Sequence, residues 1–122
     1  EFRRVLFRSA AAGINEKIFI NTKGQISEGT VCNVFFVRKN MIYTPQLSCG
    51  LLPGILREYI MERFQVTETI IYPDELMYYE ECFVTNSLMG VMPVRQLGNI
   101  CFPHRVKADE VREIYEKEKM SL

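Results

Sequence analysis

Polar side chains that could do chemistry stand beside an apolar run near the start of the chain. Glu28 precedes the run at residues 34–37, VFFV, and Asn33 comes directly before it. A strand that is apolar on both faces belongs inside a sheet covered on both sides. A carboxylate at the start of such a strand is costly to bury unless it pairs with a cation or a hydrogen-bond donor. Two readings stay open: Glu28 faces such a partner, or it caps a hairpin at the surface.

The second stretch that could bind a ligand is SCGLLPGILR, residues 48–57. Its glycine-bearing loop runs into the predicted start of a helix. Such a junction presents free backbone N–H groups and the positive end of the helix dipole, which suit an anion and best of all a phosphate. The alternative is a plain junction between a loop and a helix.

The third stretch is ECFVTNSLMGVMPV, residues 81–94. A predicted strand ends in three small polar side chains, followed later by a glycine and another strand. The hydroxyls of Thr85 and Ser87 could join the same anion. The alternative is a turn in which these side chains satisfy their own backbone.

The elements that would position these stretches follow from periodicity and turn residues. Predicted strands cover residues 17–21, 25–28, 31–38, 41–44, 66–72, 82–85, 91–96 and 100–102, and predicted helices cover 54–64, 73–79 and 105–119. Lys39 and Asn40 form a tight turn between two of the strands. The pattern indicates a mixed α/β (α+β) domain without the regular βαβ alternation of a doubly wound sheet.

Composition narrows the function classes. The 122 residues carry 15 basic and 15 acidic side chains without a block of one sign, which argues against a nucleic-acid partner. No apolar run reaches the roughly 20 residues of a membrane span. The scattered cysteines predict reduced core thiols of a cytoplasmic protein and no metal site; they are Cys32, Cys49, Cys82 and Cys101. His104, between Pro103 and Arg105, is predicted to lie at the surface.

The first nine residues, EFRRVLFRS, give two readings. They form the end of a helix that stops near Gly13, or they are an assembly scar to be kept out of the fold. The predicted domain therefore runs over residues 10–122.

Together, the three stretches resemble one family, the fold-type-IV pyridoxal-phosphate enzymes, also called class-IV aminotransferases. EGTVCN, LLPGI and TNSLMGVMPV occur here in the order in which that family has them, and the resemblance covers about residues 13–104. It implies the C-terminal domain of the fold shared with D-amino-acid aminotransferase, truncated at its N-terminus. It also implies pyridoxal 5'-phosphate as cofactor and a small-molecule substrate.

The resemblance assigns roles position by position. Glu28 matches the acid that pairs with the pyridine nitrogen of the cofactor, and Asn33 an amide that holds the strand of Glu28. The helix start at Gly54, Ile55 and Leu56 matches the amides that bind the cofactor phosphate. Many members have threonine where Leu56 stands, so only its amide contact carries over.

The turn after the third strand supplies the second phosphate contact in this resemblance. Ser87 matches that contact, together with Asn86. The family's Schiff-base lysine lies upstream of the Glu28 motif, and Lys17, Lys23 and Lys39 stand in contexts that do not match it. The resemblance therefore implies part of a longer enzyme, inactive by itself, whose parent is a homodimer.

Within the family, TNSLMGVMPV is similar to the turn of aminodeoxychorismate lyases, which make 4-aminobenzoate and pyruvate for folate synthesis. Branched-chain or D-amino-acid aminotransferases share the cofactor site and remain the alternative. A third reading is a catalytically inactive fragment that keeps the fold but lacks the lysine. The residues do not decide between these readings.

Overall fold

The computed structural model describes residues 3–9, 15–20, 25–29, 33–46, 54–86 and 90–119. Its strands are β1 Arg3–Ser9, β2 Asn15–Ile20, β3 Ile26–Gly29, β4 Asn33–Arg38, β5 Met41–Pro45, β6 Val66–Thr69, β7 Glu81–Asn86, β8 Gly90–Leu97 and β9 Ile100–Cys101. The helices are α1 Ile55–Arg63 and α2 Val106–Lys119, and a 3₁₀ helix spans Pro73–Tyr78.

Within the described residues, all the strands belong to one sheet. Its order is β3-β2-β1-β8-β7-β4-β5-β6, with β9 paired to β8. The pairs are antiparallel except β5 with β6, which is parallel and is connected through α1. The two edge strands approach each other, because the N–H of Ile26 in β3 donates to the carbonyl of Ile71, just after β6, at 2.6 Å. The sheet therefore curls until its two edges meet.

Each face of the curled sheet has its own core. On one face, α1 and α2 cover the side chains of Phe35 and Phe83, whose rings stack with centroids 4.9 Å apart. Ile60 from α1 and Val111 from α2 are fully buried against this cluster. On the other face, Val34, Phe36, Val84 and Val94 pack with Ile26, Ile71, Leu76 and Phe102. Burial on both sides explains why residues 34–37 are apolar without alternation.

The predictions for the centre of the sheet are confirmed. Strands β4 and β5 pair around Lys39 and Asn40, whose φ angles of 50° and 65° match the type I′ turn that short hairpins favour. The predicted helix 54–64 is α1, with Gly54 as N-cap. The predicted helix 105–119 is α2, whose first backbone N–H groups are capped by the Glu81 carboxylate at 3.0 Å from Lys107 N and 2.9 Å from Ala108 N.

Three predictions are wrong in part. Arg3–Ser9 is strand β1 between β2 and β8, where a helix end was one of the two readings. The run Val5, Leu6, Phe7 suits a central strand with partners on both sides, and seven residues carry too few helical turns to decide from the pattern. Strand β6 ends at Thr69 instead of residue 72, and Cys101 is exposed instead of buried.

Other expectations have mixed outcomes. Cys82 is buried and His104 is exposed, as predicted. Cys32 and Cys49 lie outside the described residues, and the scar reading of the first residues stays a prediction. Within the described part of the chain, no helix is long and apolar enough to cross a membrane.

Candidate active site

The candidate site lies at the end of the sheet where β4 begins and β7 ends. Asn33 and Thr85 are directly opposite each other in this antiparallel pair, two residues along from the stacked rings of Phe35 and Phe83 and on the same face. Directly opposite side chains on one face have Cβ atoms roughly 5 Å apart. Both residues are buried, Thr85 to 1% exposure. The first and third sequence stretches therefore meet here.

The start of helix α1 packs against this pair. A Cβ atom on Gly54 would lie 2.5 Å from Oδ1 of Asn33, closer than real Cβ contacts. The Gly54 backbone is extended, with φ −110° and ψ 149°, so packing and not backbone conformation requires glycine here. The second stretch thereby joins the other two, which confirms that the three motifs converge.

The first turn of α1 has backbone donors without an acceptor in the helix. The first helical bond runs from Glu58 N to the Gly54 carbonyl at 3.0 Å, so the N–H groups before Glu58 have no acceptor within the helix. The N-cap residue is Gly54, which has no side chain to cap them. The side chain of Leu56 is buried and that of Ile55 is 86% exposed, so both offer the site only their amides.

Thr85 carries the clearest sign of a ligand. Its hydroxyl oxygen is buried and has no hydrogen-bond partner in the part of the chain that the structure describes, where Arg57 Nε is the only other such atom. More than nine in ten buried polar groups in proteins are hydrogen-bonded. Both orphaned atoms belong to residues next to the Asn33–Gly54 contact: Thr85 pairs with Asn33, and the Arg57 Cβ lies 4.0 Å from the Gly54 Cβ position. An acceptor on a ligand at this end of the sheet would satisfy the Thr85 hydroxyl.

Gly90, at the start of β8, packs against helix α2. Asn86 pairs with Gly90, whose φ of +75° lies in the left-handed region that favours glycine. A Cβ on Gly90 would lie 3.2 Å from the Tyr115 ring of α2. Ser87 lies outside the described residues, and the side chain of Asn86 is not described, so their phosphate contacts stay predictions.

Glu28 lies in strand β3, whose pairing with β2 confirms the predicted hairpin. Its side chain is not among those described, so its role also stays a prediction. Sequence reasoning missed Arg57, which the motif LLPGILR contains but which carried no signal of burial. It named Thr85 only as a hydroxyl near the anion.

The described residues also form a cleft of about 370 Å³ at the opposite end of β4 and β7. It is lined by Asn40, Glu80, Glu81, His104, Val106 and Lys107. The Glu81 carboxylate accepts there from the first turn of α2, and Glu80 accepts a hydrogen bond from the Lys39 N–H at 3.0 Å. No cluster of His, Cys, Asp or Glu that could hold a metal occurs among the described residues. This cleft therefore lies away from the converging motifs.

Comparison with known proteins shows the family of this chain. The model of the class IV amino-transferase family matches residues 2–97, and the chain belongs to that family. The family is dependent on pyridoxal phosphate. The fold is that of the fold-type-IV enzymes, as the sequence predicted.

Individual relatives carry two different activities in their names. The chain is 34% identical over 103 residues to a Thermotoga maritima protein assigned as a branched-chain-amino-acid aminotransferase, covering 80% of this chain and 38% of the relative. It is 32% identical over 90 residues to aminodeoxychorismate lyase of Bacillus subtilis, covering 70% and 31%. A Legionella pneumophila structure assigned as a 4-amino-4-deoxychorismate lyase matches with a TM-score of 0.81 and 29% identity, over 90% of this chain and 43% of that one. The chain thus spans about two-fifths of these proteins.

Proposed function

We propose that the full-length protein is a pyridoxal-phosphate-dependent 4-amino-4-deoxychorismate lyase, releasing 4-aminobenzoate and pyruvate. The observation that carries the cofactor is the buried, unpartnered hydroxyl of Thr85, opposite Asn33 and beside the start of α1. A phosphate has acceptor oxygens for this hydroxyl and for the amides of Ile55 and Leu56. The donors at this end of the sheet therefore fit the phosphate group of the cofactor.

The protein's own contribution at the phosphate is charge and orientation. The positive end of the α1 dipole favours an anion, and bonds from donors to a charged acceptor are roughly twice as strong as neutral ones. Leu56 replaces a threonine common in the family, so Thr85 and Ser87 are the hydroxyl donors in this proposal. Asn33 keeps the helix start at its distance from β4 through its contact with Gly54.

At the other end of the cofactor, the Glu28 carboxylate would hold a proton on the ring nitrogen. When bound, the cofactor supplies an electron sink that makes a substrate C–H bond acidic. Glu28 is needed because an unprotonated ring would accept electrons less well. No lysine of residues 1–122 stands in the matching motif, so we propose that the lysine that holds the cofactor covalently belongs to another part of the full-length protein.

Lyase activity is favoured by the turn at residues 85–94, which is similar to that of lyases, and by the likeness to the Legionella pneumophila structure. Branched-chain aminotransferase is the second candidate, favoured by the 34% identity to the Thermotoga maritima protein. Both activities use the same phosphate site and the same Glu28. We also propose a cytoplasmic homodimer, as the family resemblance implies.

The experiment is a paired assay of the full-length enzyme. Released 4-aminobenzoate is followed by its fluorescence with aminodeoxychorismate as substrate, and 2-oxo acid formation from leucine, isoleucine, valine and D-alanine is followed with 2-oxoglutarate as acceptor. We expect 4-aminobenzoate and little amino-group transfer. Rapid transfer without 4-aminobenzoate would reject the lyase in favour of the aminotransferase. Failure of both assays with cofactor bound would reject both activities.

A further inference from the structure

The first turn of α1 contains a buried cation. Arg57 is 4% exposed, and its Nη2 donates to the carbonyl of Pro45 at 3.1 Å and to Oε2 of Glu68 at 3.0 Å. Pro45 ends β5, and Glu68 lies beside it in β6, paired with Thr44. One side chain therefore ties the start of α1 to two neighbouring parallel strands.

This position is unfavourable for the stability of the helix. A positive charge in the first turn opposes the helix dipole, and a buried charge is costly unless it is fully paired. The pairing is incomplete, because Nε of Arg57 is buried without a partner in the described part of the chain. Helix stability therefore does not account for Arg57, and its position at the start of α1 calls for another explanation.

The geometry next to Arg57 gives that explanation. Its Cβ lies 4.0 Å from the position that a Gly54 Cβ would take, and Oδ1 of Asn33 lies 2.5 Å from the same point. The helix start is thus held between Asn33 on β4 and the Arg57 bonds to β5 and β6. A shift of the turn would change where the Ile55 and Leu56 amides point.

We propose that Arg57 is a positioning residue for the phosphate site. Its bonds to Pro45 and Glu68 fix the first turn of α1 so that the Ile55 and Leu56 amides face the cofactor phosphate. This inference rests on the proposed function, since it needs a phosphate at this turn.

The test compares ligands with and without the phosphate. Dissociation constants of pyridoxal phosphate and of pyridoxal are measured on the full-length apoprotein for the wild type, Arg57→Lys and Glu68→Gln, together with melting temperatures. We expect pyridoxal phosphate to bind about tenfold more weakly in Arg57→Lys, which keeps the charge but replaces the planar guanidinium with an ammonium group on a shorter, more flexible side chain. Glu68→Gln keeps an acceptor and is expected to lose about threefold. Pyridoxal affinity is expected to stay within about twofold of the wild type in both.

The same helix offers a matched control. Arg63 at the end of α1 pairs with Glu118 at 3.1 Å, but both side chains are largely exposed. Arg63→Lys is expected to leave both dissociation constants unchanged. A purely structural role for Arg57 would weaken both ligands in parallel and overturn the inference. If Arg57→Lys does not fold, Glu68→Gln tests the inference in its place, through the ratio of its dissociation constants for pyridoxal phosphate and pyridoxal.

The outcomes separate this inference from the proposed function. A wild type that binds pyridoxal phosphate no better than pyridoxal has no phosphate site, which would overturn both. If the wild type binds pyridoxal phosphate better than pyridoxal and the variants keep the full preference, only the positioning role of Arg57 is overturned.

Discussion

At the scale of single residues, Thr85 combines a cost in stability with a use in binding. Its buried hydroxyl has no partner among the described residues, and an unsatisfied buried polar group costs roughly 1–3 kcal/mol. Valine has nearly the same shape and no polar atom. Thr85→Val is therefore expected to stabilise the apoprotein by about 1 kcal/mol. The same change should weaken pyridoxal phosphate binding about tenfold, because the phosphate loses a charge-assisted bond.

Thr85→Ser is the control for this substitution, since it keeps the hydroxyl and removes only the methyl group. It is expected to retain most of the cofactor affinity while losing some stability. Chemical denaturation and cofactor titration measure the two quantities separately. Equal cofactor affinity in the valine variant and the wild type would exclude Thr85 from the phosphate site.

The sequence predicts residues of this site unevenly. Glycine at 54 stands out because the motif LLPGI precedes a helix, and the close contact with Asn33 gives the physical reason. Arg57 could not be recognised, since an arginine in an amphipathic helix usually faces solvent. Its burial depends on Pro45 and Glu68, which come together with it only when β5 and β6 pair in parallel.

At the scale of elements, helices α1 and α2 are joined near their C-terminal ends. The Tyr59 hydroxyl donates to Glu118, Arg63 Nε lies 3.1 Å from both oxygens of that carboxylate, and the Tyr59 and Tyr115 rings meet edge to face at 5.5 Å. A Cβ on Gly90, the first residue of β8, would lie 3.2 Å from the Tyr115 ring. The joint therefore links α1 to the start of β8 through α2.

This joint predicts a dependence of stability on pH. Burial, and then the hydrogen bond to the Glu118 carboxylate, raise the pKa of Tyr59 from 10.0 to about 12. The folded chain keeps this proton longer than the unfolded chain, so the contribution of Tyr59 to stability is complete below pH 10 and is lost as pH rises towards 12. Tyr59→Phe is expected to flatten the fall in the free energy of unfolding over that window. Tyr78→Phe, which removes an exposed tyrosine, is the control. If the free energy of unfolding falls with pH at the same slope in all three proteins, Tyr59 makes no such contribution to stability.

The sequence was least informative about strand β1. Val5, Leu6 and Phe7 are consecutive apolar residues, which a short helix and a central strand share. Only the pairing of β1 with both β2 and β8 separates the two, and that pairing is non-local. Strands β4 and β5 were predictable because the Lys39–Asn40 turn connects neighbours in the chain.

At the scale of the whole molecule, the candidate site and the cleft near Lys39 lie at opposite ends of strand β4. The converging motifs lie where β4 begins, and Lys39 follows the end of β4, roughly 20 Å away at about 3.3 Å per residue. The cleft lined by Glu80 and Glu81 lies at that far end too. Lys39 therefore cannot reach a ligand whose phosphate is held by Thr85 and the start of α1.

This geometry leads to a prediction about covalent attachment of the cofactor. In the full-length protein reduced with borohydride in the presence of pyridoxal phosphate, we expect one modified lysine, located outside residues 1–122. The chain from Glu1 to Leu122 expressed alone should bind the cofactor reversibly and weakly, because it retains the proposed phosphate donors while the proposed lysine belongs to another part of the full-length protein. Peptide mass mapping locates the adduct in both proteins. A stoichiometric adduct on Lys17 or Lys23 would mean that this chain carries its own catalytic lysine, and one on Lys39 would place the cofactor at the opposite end of the sheet.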